Sequence, residues 1–260
     1  MSIVDLLKCT FQVLIVTKQL DLFRIKLCAC WTSVFLLRLA ASMGQTSSDT
    51  RHNVTLRHKA IKYIFTTGVR VLMRILVVNN YGQFNHLIVR TIRDFVESKL
   101  ISNQTPPEDI EADGLILGGG PALERAGRCA DYLKDLDIPI MGICLGLQLM
   151  GTTFGGRVAP GAIGGYAEVQ VEVVKENDIL KGLPKTFKTW ASHADQVVEL
   201  PRDFEILARS NVCDIEAMKH VRRPLYGVQW HPEVVHTEHG QKLLGNFIEL
   251  CKKCAAKSRA

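Results

Sequence analysis

The sequence predicts an α/β fold, a mainly parallel β-sheet with helices on both faces. Three observations point to it. With 47% apolar residues in 260, the chain is long enough for one sizeable core. Met73-Arg-Ile-Leu-Val-Val-Asn-Asn80 is a compact apolar run ending in turn residues, the pattern of a buried first strand. From there, short apolar runs alternate with segments of helical period, and such alternation builds a parallel sheet covered on both sides.

The elements follow in order. Residues 74–79 read as a strand. His86–Leu100 reads as a helix, with Leu87, Ile88, Ile92, Phe95 and Val96 at roughly helical spacing. Gly114–Leu117 is a strand, Ala122–Leu136 a helix, Pro139–Ile143 a strand and Leu145–Phe154 a helix. Ala167–Val174, Glu205–Ala208 and Pro224–Gln229 add strands, and Gly240–Cys251 closes with a helix.

Residues 73–260 are therefore expected to form one domain. Residues 1–72 read as an N-terminal extension, either poorly ordered or lying ahead of the true start; the competing reading is an amphipathic segment that docks on a membrane or partner. Their longest apolar run, Leu27 to Leu37, is shorter than the about 20 residues that span a bilayer. The net charge of +6 is uneven. Residues 1–72 hold ten Lys/Arg against three Asp/Glu, whereas the remainder holds 22 against 23. A near-neutral main domain argues against nucleic-acid binding. The eight cysteines form no disulfide framework and suit the reducing cytoplasm. Cys251-Lys-Lys-Cys254 has no second CxxC to complete a metal site, so no metal is expected.

Three segments carry chemistry. In Pro139-Ile-Met-Gly-Ile-Cys144-Leu-Gly-Leu-Gln148 a strand runs through Gly142 into a cysteine, then Gly146 and a helix. Small neighbours permit a sharp turn that lifts the thiol above the sheet, at a helix N-terminus that favours thiolate. By itself the segment fits a buried core cysteine equally well. In Leu225-Tyr-Gly-Val-Gln-Trp-His231-Pro-Glu233 a strand ends in an imidazole that could move the thiol proton, with a carboxylate two residues on to fix its tautomer. Leu117-Gly-Gly-Gly120-Pro121 follows a strand and lets backbone N–H groups approach a ligand. It lacks the Lys-Ser/Thr of a phosphate loop; an oxyanion hole and a plain tight turn remain as readings.

Together, Gly-x-Cys-x-Gly-x-Gln at 142–148, His-Pro-Glu at 231–233 and Gly-Gly-Pro at 119–121 resemble the class I (triad) glutamine amidotransferases, in the family's order, from residue 73 to about 251. Trp190-Ala-Ser-His193-Ala-Asp195-Gln-Val197, Glu216-Ala-Met-Lys-His220 and His236-Thr-Glu-His-Gly240 are similar to GMP synthases. The arrangement resembles the stand-alone glutaminase component of the archaeal GMP synthases.

The resemblance implies the class I glutamine amidotransferase (flavodoxin-like) architecture and the triad Cys144, His231 and Glu233. It further implies oxyanion donors on Gly120 and Leu145, and a glutamine site lined by Gln148, Ser192, His193 and Asp195. It implies no cofactor on this chain. ATP and Mg2+ would belong to a partner, the separate ATP-pyrophosphatase subunit of GMP synthase, because no Ser-Gly-Gly-x-Asp-Ser nucleotide loop occurs here. Two departures stand out. Leu147 takes no assigned role, and Gly164-Gly-Tyr166 lacks the acidic residue often found beside that aromatic. Glutaminase subunits for anthranilate or carbamoyl phosphate synthesis, or a non-catalytic glutamine-binding regulator, are the alternatives. The segments similar to GMP synthases weigh against the first two and the complete triad against the last.

Overall fold

The computed structural model describes residues 73–258, without the side chains of 162–165. The readings made for residues 1–72 lie outside the described residues.

Nine strands form one sheet among the described residues, in the order β2-β1-β3-β4-β9-β8-β7-β5-β6. The first five are parallel: β1 (Arg74–Asn79), β2 (Glu97–Ser102), β3 (Gly114–Leu117), β4 (Ile140–Ile143) and β9 (Leu225–Val228). In chain order they run 2-1-3-4-5, the flavodoxin-like order. The other four continue the sheet antiparallel: β5 (Arg157–Val173), β6 (Thr186–Glu199), β7 (Phe204–Arg209) and β8 (Ala217–His220).

The parallel strands read as unbroken apolar runs because both faces are covered. One face, with Ile75, Val77, Ile116 and Val228, packs on α1 (Asn85–Ile92) and α4 (Gly240–Ser258) through Ile88, Ile92, Leu243 and Phe247. The other, with Leu76, Val78, Leu115 and Leu117, packs on α2 (Cys129–Asp135) and α3 (Leu145–Thr153) through Tyr132, Leu133, Leu147 and Met150. Each such side chain taken fully out of water contributes about 1.5–3 kcal/mol. None of the described helices is long and apolar enough to cross a membrane.

The observed elements correct the expected ones in places. The helix expected over His86–Leu100 ends at Ile92, and β2 begins at Glu97. Val96 points inward, which prolonged the apparent helical period, but Phe95 is 74% exposed. The helix expected over Ala122–Leu136 divides into a single 3-10 turn, Leu123–Arg125, and α2, because Gly127 takes φ +56° between them. The last helix continues to Ser258, and β6 and β8 were not foreseen.

α3 lies almost on the sheet. A methyl group on Gly142 would stand 2.4 Å from the Gly146 carbonyl, so helix and strand backbones touch there. Gly142→Ala should therefore overpack the junction and cost about 1–3 kcal/mol. A thermal melt should show Tm lower by roughly 3–10 °C, and an unchanged Tm would mean that the contact is looser than described.

Candidate active site

The carboxyl ends of β1, β3, β4 and β9 all reach the same edge of the sheet, because these strands are parallel. That edge is where open α/β sheets bind ligands. β4 lies between β3 and β9, so the residues after it stand between the glycine loop that follows β3 and the histidine that follows β9.

Cys144 occupies the turn from β4 into α3 at φ +54°, ψ −106°. L-residues rarely adopt this conformation, and holding one costs of order 1–3 kcal/mol. The turn is fixed at both ends. The Cys144 N–H donates to Val228 O at 2.8 Å, and its carbonyl accepts from Leu147 N–H at 3.0 Å and Gln148 N–H at 3.1 Å. The thiol is thus the N-cap position of a helix whose residues 145–151 are all buried. Its Sγ lies 3.6 Å from the Ser192 carbonyl oxygen.

His231 and Glu233 pair through Nδ1 and Oε1 at 2.8 Å, with side chains 5% and 0% exposed. The backbone holds them firmly. His231 N–H donates to Trp190 O at 3.0 Å, and Thr237 Oγ1 donates to His231 O at 2.7 Å while accepting from Trp190 N–H at 2.9 Å. Phe84 meets the imidazole edge-on at 5.0 Å. Burial pulls the His231 imidazole down, but hydrogen bonding and attraction to Cys144 and Glu233 outweigh it and carry it up to about 10.

The glycine loop faces this pair. A Cβ on Gly119 would stand 3.1 Å from His231 Cε1, a tight contact, and 3.7 Å from Cys144 Cβ, so the loop lies directly against both residues. Gly120 packs against Leu145, whose Cδ2 would be 2.6 Å from an added methyl group. Leu145 opens α3, so its N–H is among the donors a helix leaves free.

The four residues expected around glutamine also converge. Gln148 Nε2 donates to Asp195 O at 2.6 Å, and His193 Nδ1 lies 2.9 Å from the same oxygen. His193 Nε2 is buried without a hydrogen-bond partner. Burial holds this imidazole below its ordinary range. Ser192 and Asp195 take part through main-chain carbonyls; the Asp195 side chain is exposed. Leu147 is fully buried against Gly227, a packing role. Tyr166 is 61% exposed and stacks on Trp190 at 6.3 Å. Phe84, Asn80 and Asn85 were missed, since none stands in a recognisable motif, and Thr237 was seen only as part of a resembling segment.

Glu216 was seen only as part of a resembling segment. It is 1% exposed, accepts from Ser210 Oγ at 2.8 Å, and its carbonyl accepts from Gln229 N–H at 2.7 Å. Gln229 in turn accepts from Gln148 at 3.4 Å. A buried polar chain therefore runs from Glu216 toward the glutamine side of the site.

The fold and site define an α/β protein with a cysteine–histidine–carboxylate constellation at the carboxyl edge of its sheet. The Glutamine amidotransferase class-I profile matches residues 76–250, and the chain belongs to that family. The A subunit of the glutamine-hydrolyzing GMP synthase of Methanothrix thermoacetophila is 64% identical over 181 residues, 70% of this chain and 100% of the relative. The protein of the same name from Archaeoglobus fulgidus is 55% identical over 183 residues, again 70% and 100%. A solved structure of a candidate GMP synthase A subunit from Thermoplasma acidophilum superposes with TM-score 0.70 at 32% identity, over 73% of this chain and 98% of that one.

Two outcomes follow for the site. If the thiol is the nucleophile, the imidazole transfers protons and the carboxylate orients it, Cys144→Ala should abolish ammonia release from glutamine, and His231→Ala should reduce kcat more than Glu233→Gln. The reverse order in steady-state kinetics would refute these roles. The second concerns pH. Burial pushes the Glu216 carboxyl up to about 7 from an ordinary value of 4.5. The folded state holds this proton more tightly, so the stabilisation is complete below about 4.5 and lost as pH rises through about 7. Relative to Glu216→Gln, the unsubstituted chain should lose on the order of 2 kcal/mol across that window in urea denaturation. Parallel pH profiles would mean Glu216 stays ionised.

Proposed function

We propose that this chain is the glutaminase component of a two-chain GMP synthase. One observation carries the reading: a strained cysteine at a helix N-terminus, between a glycine loop and a buried His–Glu pair, in a chain that spans the whole length of relatives named as the A subunit of GMP synthase.

The Cys144 thiolate attacks the side-chain amide carbon of glutamine, and the carbonyl π electrons move to oxygen. Backbone N–H groups of Gly120 and Leu145 hold that oxyanion. As the C–N bond breaks, His231 gives its proton to the departing nitrogen, which leaves as ammonia. His231 then takes a proton from water as its oxygen attacks the thioester, and glutamate leaves with the thiol restored. Glu233 keeps the imidazole in position throughout. Gln148 and His193 hold the bound glutamine, supported by the carbonyls of Ser192 and Asp195.

This half-reaction uses no metal or organic cofactor. Ammonia is mostly ammonium at neutral pH and then not nucleophilic, so it must be consumed close to where it is made. The acceptor site belongs to an ATP-pyrophosphatase partner, which binds ATP and Mg2+ and aminates XMP to GMP. The cysteines Cys129, Cys144, Cys213, Cys251 and Cys254 are free thiols, which fits work in the reducing cytoplasm.

Mixing the chain with an ATP-pyrophosphatase partner, XMP, ATP and glutamine should yield GMP, with Cys144→Ala active only on added ammonium. GMP formation from ammonium but not glutamine, at saturating amounts of the unsubstituted chain, would defeat the pairing.

A further inference from the structure

The peptide unit joining Gly119 to Gly120 carries one of the two oxyanion donors. In a trans peptide the carbonyl and the following N–H point in opposite directions, so whatever grips Gly119 O also aims the Gly120 N–H. Asn85 grips it, with Nδ2 donating to Gly119 O at 3.1 Å. Asn85 is the first residue of α1 and is 2% exposed.

The amide cannot turn over freely. Its Nδ2 also donates to Asn79 Oδ1 at 3.1 Å, and that oxygen accepts from Tyr81 N–H at 3.0 Å. Reversing the amide would set its oxygen against two acceptor oxygens. The preceding peptide is tied in the same way. Asn80 Nδ2 donates to Gly118 O at 3.0 Å, while Asn80 Oδ1 accepts from Cys129 Sγ at 3.2 Å and Asn103 Nδ2 at 3.3 Å. Two consecutive carbonyls of the glycine loop are therefore held by Asn80, just after β1, and Asn85, at the start of α1, and their partner N–H groups are turned the other way.

We propose that Asn85 is a positioning residue for glutamine hydrolysis: by holding the Gly119 carbonyl it aims the Gly120 N–H at the oxygen that becomes negative when Cys144 attacks. This rests on the glutaminase reading above. The position needs a short, uncharged donor. Aspartate has the same shape, but when ionised it offers only acceptors to a carbonyl oxygen.

Two reactions of the same thiol separate aiming from structure. Glutamine hydrolysis builds an oxyanion on the attacked carbonyl. Alkylation by iodoacetamide is displacement at a saturated carbon, with iodide leaving, and builds none. Asn85→Asp and Asn85→Ser are compared with the unsubstituted chain in the presence of its synthetase partner, so a folding failure of one variant leaves the other to decide.

The kcat for glutamine should fall roughly tenfold to a hundredfold, less than the ~10²–10³ lost with an oxyanion donor itself. KM should stay within about twofold, because the lost interaction belongs to the transition state. The rate of Cys144 alkylation should not change. Alkylation slowed in step with hydrolysis would mean that the loop has collapsed on the nucleophile, and would overturn the proposal, as would an unchanged kcat. Failure of the glutaminase reading would show separately, as no Cys144-dependent ammonia release by the unsubstituted chain.

Discussion

The turn at Cys144 is the constraint on which the rest of the site depends. A residue with a Cβ at φ +54° is unfavourable by itself, and the surroundings hold it there. The β4–β9 pairing continues into the Cys144–Val228 hydrogen bond, and α3 begins at once from the Cys144 carbonyl. Glycines at 142 and 146 let the helix sit against the strand. Held in this turn at the N-cap of α3, Cys144 presents its sulfur at the carboxyl edge, beside free helix N–H groups.

Sheet order then distributes the chemistry. With β4 between β3 and β9, the loop after one neighbour supplies backbone donors and the loop after the other supplies the imidazole. Neither needs a long connection to reach the thiol. The antiparallel extension adds the fourth wall: β6 passes close enough for Trp190 to hold the His231 backbone and Ser192 to approach the sulfur. Electrostatics agree with this layout. His231 lies between Cys144 and Glu233, and hydrogen bonding and attraction to them outweigh the burial that alone would pull the imidazole down.

Much of this was legible in the sequence, where local pattern and tertiary environment coincide. β1, β3, β4 and β9 are buried on both faces and read as short apolar runs. Cys144, His231 and the glycine loop were singled out because each follows such a run. β6 escaped because polar residues such as Ser192, His193 and Asp195 interrupt its apolar alternation. β2 is an edge strand with a mostly exposed pattern, so nothing in its hydrophobicity marked it. Ser192 and Asp195 were expected to line a glutamine site; in the structure it is their main-chain carbonyls, which any residue would provide, that meet Cys144 and Gln148. Asn80 looked like a turn residue and Asn85 stood just outside the expected helix, and only coordinates reveal which carbonyls they hold.

The central claim is that strain and sheet order make one cysteine, of the eight in the chain, a nucleophile toward the glutamine side chain. Its most direct test is peptide mass mapping after exposure to a diazomethyl ketone analogue of glutamine, with excess glutamine as competitor. The account predicts a single adduct, on Cys144, that glutamine suppresses. An adduct on another cysteine, or labelling of Cys144 that glutamine leaves unaffected, would contradict it.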